Sequence, residues 1–159
     1  MAIDVKIKKD LSKLETLIPD IRKEFLANAQ RELQELIIDK TIKLGLSPVE
    51  GAGKFKRYSD SYKEAIKAGR YKKFGKSISP VNLKLSGNLL DSFFVKRKSN
   101  ALQIGFDHEL ADIHTNKGAG KSKVIRKMLP RTGESFKESI MTKIIALLQD
   151  AVDRITGKS

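Results

Sequence analysis

The chain has 159 residues, a formal net charge of +13, and neither cysteine nor tryptophan. Its length suits one domain, residues 1–159, with a substantial core, and the lack of cysteine excludes disulfides and thiolate metal sites. No stretch is apolar over the roughly 20 residues that a transmembrane helix needs. We therefore expect a single domain that is made and kept in the cytosol.

The positive charge is concentrated in the middle of the chain. Residues 1–50 hold nine basic and nine acidic residues, and residues 132–159 hold four of each. Residues 51–98 hold thirteen basic against three acidic residues, and residues 117–131 hold six basic residues and no acid. Residues 99–116 carry three acids and no base. The pattern predicts that the helices at the two ends of the chain are neutral and that the loops between them are basic. Such loops either bind nucleic acid or an acidic protein, or only keep the protein soluble.

The first predicted elements are a short strand and a long helix. Residues 1–8 alternate apolar and polar side chains, which predicts a half-buried strand. Over residues 10–45 apolar side chains recur every three or four positions, which predicts a long amphipathic helix. Gly45 and Pro48 are expected to end it. Ser12 and Glu15 form a capping box at its start, and Pro19 either kinks the helix or ends a first segment of it.

Residues 46–82 form a basic loop region in which aromatic side chains stand among lysines. The string SDSYKEAIKAG within it predicts one short helix with a serine cap and a terminating glycine. Two roles for the aromatic side chains remain open, namely pinning the loop to the core and stacking nucleic-acid bases. These aromatic residues are Phe55, Tyr58, Tyr62, Tyr71 and Phe74.

The second half of the chain returns to regular structure. Residues 83–107 predict a short helix capped by Ser86 and a β-hairpin that turns at Ser99-Asn100. Residues 108–131 predict a flexible basic loop, and residues 133–156 a C-terminal helix. The fold class is therefore α+β, with a small antiparallel sheet packed with two long amphipathic helices, N-terminal and C-terminal, and long basic loops.

The string HTNKGAGKSKVIRK, from residue 114, has the glycines and the Lys-Ser pair of a phosphate-binding loop. Such a loop needs a leading glycine five positions before its second one, and the chain has Thr115 there. It also needs a buried strand before it and a helix after it, and neither is predicted. We therefore expect a basic assembly loop whose glycines allow it to rearrange.

Catalytic and metal-binding patterns are missing from the sequence. His108 and His114 are six residues apart, which places them on different faces of a helix. The order of Asp107, Glu109 and Asp112 matches no calcium-binding loop. We predict a protein that is not an enzyme and has no cofactor and no metal.

Residues 47–136 carry an ordered series of motifs. The string SPVEGAGKFKRYSDSYKEAIKAG holds a Gly-rich segment that leads into Tyr58, Ser59, Tyr62 and Lys63. LKLSGNLLDSFFVK follows, with Leu85, Ser86, Gly87, Leu89 and Ser92. ALQIGFDHELADIHTNKG contributes Ile104, Gly105, Ala111, His114 and Gly118, and MLPRTGESF contributes Pro130 and Arg131. In this order the motifs resemble those of the phage virion-morphogenesis or tail-completion proteins, which act in the neck at head–tail joining.

The resemblance implies a structural protein of the virion neck or tail that is assembled in the host cytoplasm. It implies rings, often hexameric, that dock on tail-tube or tail-terminator proteins and on the head connector, and it leaves open whether they contact packaged DNA. We expect no membrane contact, because the predicted helices balance their charges and do not collect lysine on one face. Basic loops would dock by charge complementarity. The candidate docking residues are Lys54, Lys56, Arg57, Arg70, Lys72, Lys73, Lys117, Lys121, Lys123, Arg126, Lys127 and Arg131. The alternative is a sequence-independent nucleic-acid-binding protein that uses the aromatic residues and lysines of residues 54–76.

Overall fold

The structure, a computed structural model, describes residues 2–84, 87–98 and 101–157, with the side chains of residues 15–84, 87–97 and 102–157. In this part of the chain five α-helices accompany one two-stranded antiparallel sheet, which confirms the predicted α+β class. The helices are α1 (Ala2–Gln34), α2 (Asp60–Lys67), α3 (Asn88–Asp91), α4 (Glu109–Asp112) and α5 (Glu138–Thr156). The strands are β1 (Phe93–Lys98) and β2 (Ala101–Phe106).

Helix α1 begins earlier than predicted, because residues 2–8 are helical and the strand predicted for residues 1–8 is wrong. The apolar residues Ile3 and Ile7 are four positions apart, so they also continue the helical spacing of the residues that follow. A helix satisfies its backbone hydrogen bonds internally, whereas a strand needs a partner strand. The predicted capping box fails for the same reason, since Ser12 lies inside the helix.

The remainder of α1 follows the prediction more closely. Pro19 lies within the helix and does not end it. A π-helical turn, Glu35–Asp39, and a 3-10 turn, Ile42–Leu44, extend the helical path beyond Gln34. Gly45 then ends it with a left-handed φ of 76°, as the sequence predicts.

Helices α1 and α5 pack antiparallel along their apolar stripes. The buried side chains of α1 at this core are Ile21, Phe25, Ala29 and Leu33, and those of α5 are Ile140, Leu147 and Ala151. At the surface Lys143 Nζ lies 2.9 Å from a Glu32 carboxylate oxygen, and Arg154 lies 3.0 Å from Glu24. These pairs join the late part of one helix to the early part of the other, which fixes the antiparallel arrangement.

The hairpin packs on α1 through one glutamine. Strands β1 and β2 pair with Phe93 opposite Phe106 and Lys98 opposite Ala101, as predicted, while the turn at Ser99-Asn100 lies outside the described residues. Gln30 donates to the Phe93 carbonyl (3.0 Å) and accepts from the Val95 N–H (2.6 Å). The side chain of an α1 residue therefore satisfies the free edge of β1 and fixes the hairpin on the helix.

The remaining boundaries differ from the prediction by a few residues. Helix α2 occupies the predicted place. The short helix predicted after Ser86 is α3, which has Gly87 at its N-cap, while Ser86 lies outside the described residues. Helix α5 begins at Glu138 and not near residue 133. The reason is that residues 135–137 pair with the chain near Val49: Lys137 N–H donates to the Pro48 carbonyl and Glu50 N–H to the Ser135 carbonyl, each at 2.9 Å.

The loop that carries the GAGKS string closes into a tight hairpin. Ala119 and Val124 exchange both backbone hydrogen bonds, at 2.9 and 3.0 Å. Gly118 has a φ of 83°, and a Cβ at this position would lie 2.2 Å from the Lys123 carbonyl oxygen, so only glycine fits. Residues 123–137 contain no helix, which agrees with the conclusion that this string is not a nucleotide-binding loop.

Candidate docking surfaces

Six of the twelve candidate docking residues are exposed and make neither an ion pair nor a ring contact within the described part of the chain. We use the name basic region for residues 46–82 and 117–131. The exposed and unpaired members of the candidate set are Lys54, Lys56, Arg57, Lys72, Lys121 and Lys123. Their charges are available to an approaching surface, and Lys121 and Lys123 lie in the turn of the 119–124 hairpin.

Three further candidates are exposed but already make contacts. The Arg70 guanidinium lies 5.8 Å from the centre of the Tyr71 ring, and Lys73 Nζ lies 4.8 Å from the Phe74 ring. Lys117 pairs with Asp112 at 2.7 Å, and this pair holds the pKa of the Asp112 carboxyl below its usual range. Exposed contacts of this kind contribute little to stability, so these cations remain able to exchange partners.

Arg126 is buried, so it is not the exposed docking charge that the sequence analysis expected. Its side chain is only 5% exposed and donates to two backbone carbonyls, those of Lys56 (3.0 Å) and Arg57 (3.2 Å). Its guanidinium lies 5.1 Å from the centre of the Tyr58 ring. Arg126 therefore joins the two parts of the basic region from inside.

Lys127 and Arg131 also serve the internal structure. Lys127 is half-buried and pairs with Glu134, whose pKa this contact lowers. Arg131 is exposed, but its guanidinium donates to the Thr115 carbonyl and its backbone N–H to Glu134 (3.0 Å). Both side chains hold the segment before α5 in place, so their removal would disturb the fold as well as the surface.

Two of the five aromatic side chains of residues 46–82 pin this loop to the core. Phe55 and Tyr58 are buried, at 7% and 8% exposure. Tyr62 packs edge-on against Tyr58 with ring centres 5.0 Å apart, and Tyr71 packs against Tyr62 at 5.3 Å. Of the two roles left open by the sequence, pinning holds for Phe55 and Tyr58, because a buried ring presents no face to a nucleic-acid base.

Two residues that the sequence analysis did not select as interface residues lie beside Arg126. Lys76 Nζ is 4.8 Å from the centre of the Tyr58 ring, and burial, together with the charge of Arg126, lowers the pKa of Lys76 to about 8. Burial also lowers the pKa of His114 to about 4, with contributions from Arg126 and Lys76. No local signal identifies this cluster, since its members come together only through contacts distant in sequence.

A second apolar stripe lies on α5, beside the one that faces α1. It consists of Met141, Ile145 and Leu148, which follow each other by four and three residues and therefore share one face of the helix. All three are exposed, Ile145 at 63%. Adjacent apolar side chains left in solvent on one face are typical of a surface that contacts another protein.

A groove of about 470 Å³ lies beside α4, between Asp112 and Arg131. Asp112 accepts from both Lys117 and Asn116, each at 2.7 Å, so its carboxylate is already used. Among the described residues no group of three or more His, Asp or Glu side chains could hold a metal ion. Nor does the described chain contain a helix with the length and apolarity that crossing a bilayer requires.

Comparison of the chain with protein-family models, curated proteins and solved structures gave no match.

Proposed function

We propose that this protein is a structural component of a tailed-phage virion, acting in tail completion or head–tail joining at the neck by self-assembly and docking. The observation that carries the proposal is the exposed stripe of Met141, Ile145 and Leu148 on α5. The ordered motifs of residues 47–136 supply the phage context. The fold supports the proposal through its rigid α1–α5 pair, from which charged loops extend.

The α5 stripe is suited to contact with another copy of the chain. At a net charge of +13, two copies repel each other, and they repel least when they meet through a surface of low charge. Residues 132–159 balance four basic against four acidic residues, and no charged residue interrupts the stripe itself. Burying Met141, Ile145 and Leu148 between copies would remove apolar surface from water and so offset the repulsion of the basic region.

The exposed cations are suited to a different contact, with an acidic surface on the tail or connector. Lys121 and Lys123 project from the 119–124 hairpin, and Lys54, Lys56 and Arg57 are exposed in the other part of the basic region. Complementary charge speeds association and fixes orientation more than it adds affinity. Self-assembly and docking would thus use two chemically distinct surfaces.

The self-assembly part is tested by placing the same charge on two faces of α5. Ile145→Lys puts an ammonium in the stripe, while Ala146→Lys puts one at the next, exposed position, about 100° around the helix. We expect wild type and Ala146→Lys to form the same oligomer by light scattering, and Ile145→Lys to be monomeric. If all three have the same mass, the stripe is not the assembly surface.

The docking part is tested with Lys121→Glu and Lys123→Glu against Lys23→Glu, an equal charge reversal at an exposed position of α1. We expect the hairpin variants to assemble normally and to bind purified tail tubes weakly, giving few infectious particles in complementation. Lys23→Glu should behave as wild type. Normal infectivity of both hairpin variants would show that this loop does not dock.

The second candidate function is sequence-independent nucleic-acid binding, favoured by the exposed and unpaired Lys54, Lys56 and Arg57. It requires binding to a single-stranded oligonucleotide that persists near physiological salt and weakens when the half-buried Tyr71 or Phe74 is replaced by alanine. Binding only at low salt, and unaffected by these changes, would reflect net charge alone. Fluorescence anisotropy at several salt concentrations distinguishes the two outcomes.

A further inference from the structure

Two cationic side chains meet at one aromatic ring in the basic region. Lys76 Nζ lies 4.8 Å and Arg126 Cζ 5.1 Å from the centre of the Tyr58 ring, and Lys76 also lies 5.8 Å from the Tyr62 ring centre. Arg126 is buried and Lys76 half-buried. Like charges removed from water cost free energy unless an anion accompanies them.

Both cations are held in position by neutral groups. The carbonyls of Lys56 and Arg57 accept from Arg126. The buried Asn82 side chain donates to the Gly75 carbonyl (3.0 Å) and accepts from the Ser77 N–H (3.4 Å), so it fixes the backbone on both sides of Lys76. The cations are therefore arranged before any partner arrives, which lowers the entropy cost of binding one.

The described part of the chain supplies no counter-ion to this pair. No carboxylate among the described side chains lies within 4.0 Å of the Lys76 ammonium or the Arg126 guanidinium. The imidazole of His114 lies near both, and its Nδ1 is buried without a hydrogen-bond partner. Because the pKa of His114 is lowered to about 4, this imidazole is neutral at pH 7 and adds no charge of its own.

We propose that Lys76 and Arg126 form a receptor for one carboxylate group of an Asp or Glu side chain on a neighbouring protein chain. A single group on a flexible stem reaches a half-buried ammonium, whereas a phosphodiester backbone runs along a surface and contacts exposed cations. The buried ring of Tyr58, on which both cations lie, offers no stacking surface to a nucleic acid. That the carboxylate comes from a neighbouring chain rests on the proposed assembly function. The existence of the anion site itself does not depend on that function.

The anion site is tested on the purified protein with acetate as the probe. In protein with ¹³C-labelled lysine side chains, the titration of Lys76 is followed by NMR, and Lys76→Met assigns its signal. The control is Lys73, whose ammonium lies on the Phe74 ring outside the cluster. We expect acetate to raise the pKa of Lys76 towards its ordinary value and to leave Lys73 unchanged, and chloride at equal ionic strength to change neither.

Each other outcome overturns part of the proposal. A Lys76 titration that acetate does not alter, or that chloride alters equally, shows no specific anion site. A single-stranded oligonucleotide that raises the pKa of Lys76 where acetate does not would assign the site to a phosphodiester. Both results are independent of oligomer mass, so they are separable from a failure of the assembly proposal.

The source of the carboxylate is tested in assembled particles with a carbodiimide, which joins a carboxylate and an amine that are in contact. We expect mass spectrometry to find Lys76 linked to an Asp or Glu of another chain. Lys73 serves as the reference for an exposed lysine. Links at Lys73 with none at Lys76 would contradict a neighbouring carboxylate at the site.

Discussion

The α1–α5 pair and the basic region are stabilised by different kinds of contact. Along the helices many buried apolar side chains contribute to the core, and the spacing of residues such as Phe25 and Leu33 already indicates their burial. In the basic region a few side chains each join segments distant in sequence, as Arg126 does with residues 56 and 57. Apolar periodicity therefore predicts the first region, while the second is known only from its contacts.

The largest expected loss of stability is in the helix pair. Leu33→Ala removes a fully buried side chain from the core, and we expect the free energy of unfolding to fall by about 3 kcal/mol. Leu44→Ala, at a 55% exposed position outside the α5 stripe, should change it by less than about 1 kcal/mol. Urea denaturation measures both. Equal losses would mean that Leu33 does not lie in the core between α1 and α5.

The basic region is expected to depend on Arg126 to a nearly similar degree. Arg126→Met leaves two backbone carbonyls without their donor and should lower the free energy of unfolding by about 2 to 3 kcal/mol. The exposed Lys121→Met should change it by less than about 0.5 kcal/mol. An Arg126→Met variant as stable as wild type would show that this side chain does not hold the basic region.

A smaller loss is expected at the 119–124 hairpin, where two glycines form a matched pair. Gly118 and Gly120 both have positive φ, 83° and 71°, but only a Cβ at Gly118 would meet the Lys123 backbone. We expect Gly118→Ala to cost about 2 kcal/mol and Gly120→Ala about 1 kcal/mol. The same denaturation measurement applies. A smaller cost at Gly118 would mean that the hairpin does not close as described.

The smallest expected effect is the pH dependence due to His114. Since the pKa of His114 is about 4 in the folded protein and near 6.5 when unfolded, its contribution is present above pH 6.5 and is lost as the pH falls towards 4. Because the imidazole is only partly buried, we expect protonation of His114 to lower the free energy of unfolding by about 1 to 2 kcal/mol. His114→Gln should lack this part of the acid destabilisation. If the free energy of unfolding of wild type and variant depends on pH in the same way, His114 lies outside the cationic cluster.

The sequence predicts the helices and the hairpin well because their patterns are local. α2, α5 and the β1–β2 hairpin occupy the predicted places, and Gly45 ends the N-terminal helical path as expected. The apolar residues of 1–8 fit both a strand and a helical spacing. These residues form a helix, because a strand would have needed a partner strand for its backbone hydrogen bonds. The start of α5 depends on a distant pairing, since residues 135–137 bond to residues 48–50, and no local rule reveals this contact.

The candidate site was less predictable, since charge reveals which side chains are basic but not which are exposed. Lys121 and Lys123 are exposed as a docking role requires, but Arg126, three residues further on, is inside the protein. Lys76 had no feature to distinguish it from its neighbours until Tyr58, Arg126 and His114 were found around it. Burial of a cation is a property of the fold, and it decides whether that cation lies open to a broad surface or is held inside the structure.

The most direct test of the assembly account is the mass of the wild-type protein by light scattering, as sodium chloride rises from about 0.1 M to about 0.5 M. Association through the apolar α5 stripe predicts an oligomer whose mass is constant or increases, because salt screens the repulsion of the basic region. A protein that is monomeric at every salt concentration and does not bind purified tail tubes would contradict the account. So would an oligomer that dissociates as salt rises, since its contacts would then be electrostatic.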